Sequence, residues 1–132
     1  MFCILGDGEL QEGQVWEAFM LAPKYNLENL YCIIDHNKSQ NDGLVEDILS
    51  LGDLESKVRS FDWNVIRIDG HDMGEIQNAF SVKPNGRPTC IVMDTIKGKG
   101  VDFMQSPEWH AKAPSDEEYK KAIQEIDYES NS

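Results

Sequence analysis

The tripeptide Gly6-Asp7-Gly8 constrains the fold of this chain more than any other feature. It follows the apolar run Met1-Phe2-Cys3-Ile4-Leu5 and precedes a helical pattern that begins near Leu10. The two glycines allow the backbone to turn sharply and a ligand to approach closely. The start of the helix offers unpaired N–H groups to an anion, and Asp7 adds an oxygen ligand for a hard cation. The pattern predicts a strand, a sharp turn and a helix, with a divalent metal bridging Asp7 and an anion such as a diphosphate.

A second polar segment, Asp35-His36-Asn37-Lys38-Ser39, directly follows the apolar run Leu30-Tyr31-Cys32-Ile33-Ile34. In an open parallel sheet, ligands bind in the crevice outside the carboxyl ends of the strands. We therefore expect Asp7 and Asn37, at the ends of neighbouring strands, to share one cation.

Alternating apolar runs and helical periods predict the order β-α-β-α-β-α-β-loop-α over residues 1–126. This order predicts an α/β fold with an open parallel sheet of about four strands, right-handed crossovers and helices on both faces. The predicted strands cover residues 1–5, 30–35, 64–68 and 89–94, and the predicted helices cover residues 10–21, 53–61, 72–80 and the segment from Ser115 onward. Residues 41–50 are predicted to be a loop, and residues 127–132 a disordered tail.

Several motifs together resemble those of a known enzyme family. The pairing of Gly6-Asp7-Gly8 with Asn37, roughly thirty residues later, resembles the fingerprint of thiamine diphosphate (ThDP) enzymes. Three further segments are similar to transketolases, in particular to the N-terminal subunit of split prokaryotic transketolases: Glu9-Leu10-Gln11-Glu12-Gly13, Lys97-Gly98-Lys99-Gly100 and Trp109-His110-Ala111-Lys112-Ala113-Pro114. The resemblance extends over essentially the whole chain and implies that residues 1–126 form part of a transketolase diphosphate-binding domain, about its second half.

The resemblance implies a site for Mg²⁺ or Ca²⁺ together with ThDP. Asp7 would bind the metal through its carboxylate, Asn37 through its amide oxygen and Ser39 through its backbone carbonyl, and the diphosphate would complete the shell. Gly8 would donate its backbone N–H to the diphosphate. The alternative for Asp7 is a helix-entry turn without a ligand.

The resemblance also assigns roles to three residues outside the metal site. Lys97 would lie near the cofactor, although a lysine between glycines is often a solvated loop charge. His110 would contact the diphosphate and substrate on a mobile loop and move protons; the alternative is a surface histidine. Glu12 would join a carboxylate network between two active sites, or would only interact with the helix dipole. His71 is explained by a capped strand-to-helix turn, and His36 has no assigned role.

Composition excludes several classes of function. The chain has 132 residues with 24 acidic and 12 basic side chains, and its net charge of −12 argues against binding nucleic acid or an anionic membrane surface. Apolar runs of about five residues are far below the roughly eighteen needed to span a bilayer, so a cytoplasmic location is expected. Cys3, Cys32 and Cys90 each fall in a strand predicted to be buried and show no metal-ligand spacing, so we interpret them as reduced core thiols.

The resemblance implies that the chain works as part of a larger enzyme. In transketolases, another domain binds the pyrimidine end of ThDP, and no part of this chain resembles it. We therefore expect a subunit that transfers a two-carbon ketol unit from a ketose to an aldose only with separate chains that supply the upstream N-terminal segment and the pyrimidine domain. A hetero-oligomer with two-fold symmetry and a sugar or sugar phosphate substrate are expected. The alternatives are a non-catalytic truncated relic or assembly module, or a subunit of another ThDP enzyme such as a dehydrogenase E1 component.

Overall fold

The main element of the fold is a four-stranded parallel sheet. The computed structural model describes residues 1–83 and 85–130 of the chain. The sheet has the order β1-β2-β6-β5, which confirms the predicted open parallel sheet. Its strands are β1 (Phe2–Gly6), β2 (Tyr31–His36), β5 (Asn64–Asp69) and β6 (Thr89–Asp94). All four carboxyl ends lie at one edge, so the polar residues that follow β1 and β2 lie next to each other.

Helices cover both faces of this sheet. On one face, α1 (Gly13–Lys24) and α3 (Leu54–Arg59) pack their apolar side chains against Ile34 and Val92. On the other face, α4 (Met73–Phe80) packs Ala79 against Ile68 and Ile91. The sheet therefore forms a rigid layer from which the loops at the carboxyl edge project.

The first helix differs from its predicted bounds at both ends. A 3₁₀ turn covers Gly8–Gln11 and α1 begins only at Gly13, whereas the sequence predicted a helix from Leu10. Pro23, predicted to follow the helix, lies inside its last turn. Proline cannot donate to the carbonyl four residues earlier, but the Trp63 indole Nε1 donates to the Phe19 oxygen at 2.8 Å. The tryptophan thus satisfies the acceptor that Pro23 leaves without its usual partner.

The segment predicted as a loop over residues 41–50 contains regular structure. A short antiparallel hairpin joins β3 (Ser39–Gln40) to β4 (Gly43–Leu44), and α2 (Val45–Leu49) follows directly. The Val45 N–H donates to the Lys38 carbonyl at 3.0 Å, and the Val45 side chain is buried. This anchor holds the hairpin against the carboxyl edge of the sheet.

The final helix, α5 (Asp116–Ser130), begins at the predicted capping box. The Ser115 N–H donates to Glu118 Oε2 at 2.8 Å, and the Glu118 N–H donates to Ser115 Oγ at 3.3 Å. The helix extends beyond residue 127, where a disordered tail was predicted, as far as Ser130. Residues 131 and 132 lie outside the described residues.

The cysteines occupy two different environments. Cys32 and Cys90 are buried as predicted, but Cys3 is exposed, because β1 is an edge strand whose side chains are not covered on both faces. All three are free thiols. Within the described part of the chain, the helices are too short or too polar to cross a membrane.

Candidate functional site

The predicted metal ligands meet where β1 and β2 end. Gly6, the last residue of β1, lies opposite Asp35 in the parallel register. The next residue, Asp7, donates its N–H to the Asp35 carbonyl at 3.2 Å. The strand alignment thus places Asp7 beside the polar segment that follows β2, as the sequence predicted.

The Asp7 carboxylate is buried, with 1% of the residue exposed. Its Oδ1 accepts the Gly8 N–H at 2.9 Å, and its Oδ2 accepts the Lys38 N–H at 2.6 Å. Burial raises the pKa of Asp7, while the Lys38 N–H, the nearby His36 and the Gly8 N–H oppose the rise. A cation at this carboxylate would stabilise its charged form further.

Asn37 and Ser39 lie in the loop that Asp7 holds. Lys38, between them, has a φ of +63° in the left-handed region, so the chain turns sharply there and brings Asn37 Oδ1 within 2.9 Å of the Ser39 N–H, which it accepts. Ser39 is buried, and its Oγ has no hydrogen-bond partner among the described residues. A buried hydroxyl without a partner marks a position where a bound group or water is expected.

These donors fit a hard cation that is shared with a phosphate ligand. Within residues 1–83 and 85–130, no group of three or more His, Cys, Asp and Glu side chains could hold a metal by itself. Mg²⁺ is commonly bound by one or two carboxylates together with phosphate oxygens and water. One carboxylate from Asp7 and one amide oxygen from Asn37 leave such positions to the ligand.

Gly8 lies between the metal site and the β3–β4 hairpin. Its N–H, predicted to bind the diphosphate, donates to Asp7 Oδ1 in this structure, so the diphosphate contact stays a prediction. A Cβ atom at Gly8 would lie 2.7 Å from Gln40 Oε1 and 2.9 Å from Gln40 Cβ. Only glycine allows the hairpin to approach this closely.

The two predicted loop residues lie after β6. Lys97 is half-buried, and the next residue, Gly98, has a φ of +69°; a Cβ there would lie 2.5 Å from the Met104 carbonyl oxygen. His110 is exposed at the end of a 3₁₀ turn, Pro107–His110, which packs beside β3 and β4. Neither Lys97 nor His110 has a side-chain hydrogen bond or ion pair with another described residue. Both are therefore available to a ligand, and the turn of His110 lies next to the hairpin that carries Ser39.

The neighbouring Trp109 fixes the turn that carries His110. Its ring contacts Phe103 edge-on, with centroids 5.4 Å apart, and the Lys112 ammonium lies 4.0 Å from its centroid. The aromatic and cation–π contacts hold the Trp-His-Ala-Lys segment against the loop after β6.

The remaining predicted residues differ in their surroundings. Glu12 is exposed at the N-cap of α1 and makes no capping hydrogen bond there, and it lines a shallow cavity of about 350 Å³ with Leu5 and Val15. His71 Nε2 accepts the Ile96 N–H at 2.9 Å, which ties the turn before α4 to the loop after β6.

A charged network at the same edge was not predicted from the sequence. Arg67 binds Asp94 through two hydrogen bonds of 2.7 Å, from Nε and from Nη2, and Asp94 Oδ1 lies 2.8 Å from His36 Nδ1. Glu55 adds a longer contact of 3.4 Å with Arg67. The Arg67 guanidinium holds the pKa of Asp94 well below its usual range. The signal in the sequence is the pairing of opposite charges on one face of two strands, but the strand order is needed to interpret it.

Asp94→Asn should lower stability only above acidic pH. Since folding lowers the pKa of Asp94, the network stabilises the protein above the unfolded pKa of about 3.9, and this contribution is lost as pH falls through and below it. Because the side chains are 39% and 41% exposed, we expect a loss of only about 1 kcal/mol near pH 7. Urea unfolding of the wild type, Asp94→Asn and the exposed control Asp47→Asn at pH 7 and pH 3 measures it. An equal deficit at both pH values would contradict the prediction.

Comparison with known proteins gives concordant matches. A family model described as the thiamine diphosphate-binding domain of transketolase matches residues 1–132. The chain is 40% identical over 132 residues to 6-deoxy-6-sulfo-D-fructose transketolase subunit SqwG of Clostridium sp. strain MSTE9, covering 98% of this chain and 48% of that relative. It is 38% identical over 128 residues to one subunit of the apulose-4-phosphate transketolase of Actinobacillus succinogenes, covering 96% and 46%.

Solved structures show the same fold. A transketolase from Campylobacter jejuni superposes with a TM-score of 0.86 at 30% identity, over 96% of this chain and 20% of that one. A Pichia stipitis transketolase in complex with sedoheptulose 7-phosphate superposes with a TM-score of 0.87 at 27% identity, over 96% and 19%. The chain thus spans about half the length of the curated subunits that it matches and about a fifth of these single-chain enzymes.

Proposed function

This chain belongs to the transketolase family, in its thiamine diphosphate-binding domain, and on that premise we propose that it is a subunit of a split transketolase. In this proposal residues 1–126 are part of the diphosphate-binding domain, and the subunit contributes to transfer of a two-carbon ketol unit from a ketose to an aldose. The observation that carries the proposal is the buried Asp7 carboxylate, which the Lys38 N–H joins to the Asn37 loop at 2.6 Å.

We assign the metal and diphosphate contacts to this edge of the sheet. Asp7, the Asn37 amide oxygen and the Ser39 carbonyl would bind Mg²⁺, or Ca²⁺ in its place, and the Gly8 N–H and Lys97 would bind the diphosphate. Bound ThDP supplies the carbanion chemistry that carries a ketol unit. The hard oxygen donors and the half-buried position of Lys97 support these assignments.

Two residues are proposed to act nearer the reaction. His110 would contact the diphosphate and substrate and transfer protons, which its exposure and its position beside the hairpin support. Glu12 would face a second active site across a subunit interface, which its exposed side chain without a capping bond supports.

We propose that activity requires partner chains that supply the pyrimidine domain and the segment that precedes Gly-Asp-Gly in transketolases, in a hetero-oligomer with two-fold symmetry. The names of the relatives as subunits support this proposal, as do Phe2 and Ile4 of the edge strand, which are 65% and 70% exposed and would be covered on assembly. The relatives act on apulose 4-phosphate and 6-deoxy-6-sulfo-D-fructose, so we propose a sugar or sugar phosphate substrate in carbohydrate metabolism. A cytoplasmic location fits the three free thiols.

Native mass spectrometry of the protein purified from its host tests the proposal. With ThDP and Mg²⁺ present, we expect an assembly that holds partner chains, ThDP and one metal per ThDP. Thiamine, which lacks the diphosphate, serves as the matched ligand and should not be retained. A lone chain without cofactor would favour the alternative of a non-catalytic relic.

A further inference from the structure

Asp35 is the acceptor at the centre of the candidate metal site. It lies near the carboxyl end of β2, and its carboxylate receives two side-chain hydrogen bonds. Asn37 Nδ2 donates to Asp35 Oδ2 at 2.9 Å, and Thr95 Oγ1 donates to Asp35 Oδ1. Both carboxylate oxygens are thus held by donor groups that do not bind a metal in the proposed function.

The contact with Asp35 determines which end of the Asn37 amide faces a cation. The Asp35 carboxylate can only accept, and the Ser39 N–H can only donate, so the amide must point Nδ2 to Asp35 and Oδ1 to Ser39. An amide oxygen has two acceptor positions. One accepts the Ser39 N–H, and the other is available to a metal.

Thr95 in turn holds the Asp35 carboxylate. Its N–H donates to the His36 carbonyl at 3.4 Å, and its methyl group packs so closely on Gly70 that a Cβ there would lie 2.5 Å from Thr95 Cγ2. The methyl contact fixes the rotamer in which the hydroxyl reaches Asp35. The threonine therefore connects the end of β6 to the metal loop of β2.

Asp35 also contacts the other proposed ligand through its backbone. The Asp35 carbonyl accepts the Asp7 N–H at 3.2 Å, so one residue aligns the two ligands that come from different strands. We infer that Asp35 and Thr95 are positioning residues that present the Asn37 amide oxygen to the metal. This inference rests on the proposed function.

The inference is tested with conservative variants that change hydrogen-bonding capacity and little volume. In Asp35→Asn, one of the two donors would face an NH₂ group instead of an acceptor. Thr95→Val removes the donor to Asp35, whereas Thr95→Ser keeps it. Asp62→Asn, at an exposed position in a surface ion pair with Arg87, is the matched control, and Asn37→Ala removes the proposed ligand itself.

The readout is Mn²⁺ binding, measured by electron paramagnetic resonance with ThDP present, on the protein with its co-purifying chains. Loss of an outer partner of a metal ligand typically costs 10–100-fold in metal affinity. We expect weakening in this range for Asp35→Asn, a smaller weakening for Thr95→Val, recovery in Thr95→Ser and no change in Asp62→Asn. A second readout needs no metal: the Asn37 side-chain NH₂ resonances should be protected from hydrogen exchange in the wild type and lose protection in Asp35→Asn and Thr95→Val.

The two readouts separate this inference from the proposed function. Wild-type affinity for Mn²⁺ in Asp35→Asn, with binding lost in Asn37→Ala, would overturn the positioning role and leave the metal site intact. If the wild type takes up no Mn²⁺ with ThDP, the proposed function fails, and an unprotected Asn37 amide would then overturn the positioning role independently.

Discussion

Asp7→Asn is expected to abolish metal-dependent binding of ThDP. Loss of an outer partner already costs 10–100-fold in metal affinity, so loss of the charged ligand itself should weaken binding by more than about 100-fold. The change also disturbs the local structure, because the carboxylate accepts N–H groups on both oxygens, from Gly8 and Lys38. An asparagine would turn its NH₂ group toward one of these donors.

Two effects of Asp7→Asn on folding stability oppose each other. An unsatisfied buried donor costs about 1–3 kcal/mol, whereas removal of a buried charge, whose pKa burial raises, returns part of that cost. We therefore expect a folded variant that has lost its ligand. Isothermal titration of ThDP with Mg²⁺ measures the binding, and circular dichroism with urea unfolding verifies the fold.

Asp47→Asn is the matched control for this titration, because Asp47 is exposed on α2. It should bind ThDP as the wild type does. If Asp7→Asn is folded and also binds ThDP with wild-type affinity, Asp7 is only the N-cap of its 3₁₀ turn, the role without a ligand that the sequence left open.

The sheet and the meeting of Asp7 with Asn37 could be predicted because both depend on local pattern. A continuous apolar run indicates a buried parallel strand, and polar residues after two such runs must share an edge if the strands are parallel. The exposure of Cys3 could not be predicted in this way, because the same apolar pattern occurs in edge strand β1 and in central strands.

Features that depend on strand order or on very short elements were missed. β3 and β4 have two residues each, too few for a period of two to appear. Asp35 and Thr95 are 60 positions apart in sequence and meet only because β6 pairs directly with β2. The Arg67–Asp94 pair likewise requires β5 and β6 to be neighbours. The sequence therefore indicated the ligands of the site better than the residues that hold them.

Ketol transfer is expected only from the assembled protein. The resemblance to transketolases places the pyrimidine end of ThDP in another domain, so the purified chain alone should bind at most the metal and the diphosphate. In the reaction the C2–C3 bond of the ketose breaks, and a new carbon–carbon bond forms to the aldehyde carbon of the acceptor, without a net change in oxidation. Only a complete ThDP site can carry the two-carbon unit between these steps.

The assay compares the complex purified from the host, the chain alone, and a complex that contains Asn37→Ala. Apulose 4-phosphate, 6-deoxy-6-sulfo-D-fructose and fructose 6-phosphate are the donors, and glyceraldehyde 3-phosphate is the acceptor. Mass spectrometry should detect an acceptor product longer by two carbons only with the wild-type complex. The Asn37→Ala complex should keep its partner chains but lose turnover, since the change removes a metal ligand and no interface residue in the proposed site.

Two outcomes would contradict this prediction in different ways. Transfer by the chain alone would show that it needs no partner, and the proposed division of the active site would be wrong. A complex that binds ThDP and Mg²⁺ but converts none of the donors would favour the assembly module over the catalytic subunit. The intact oxygen donors of Asp7 and Asn37, held by Lys38 and Asp35, argue for turnover, because a module that only assembles has no need to keep a buried carboxylate aligned with an amide oxygen.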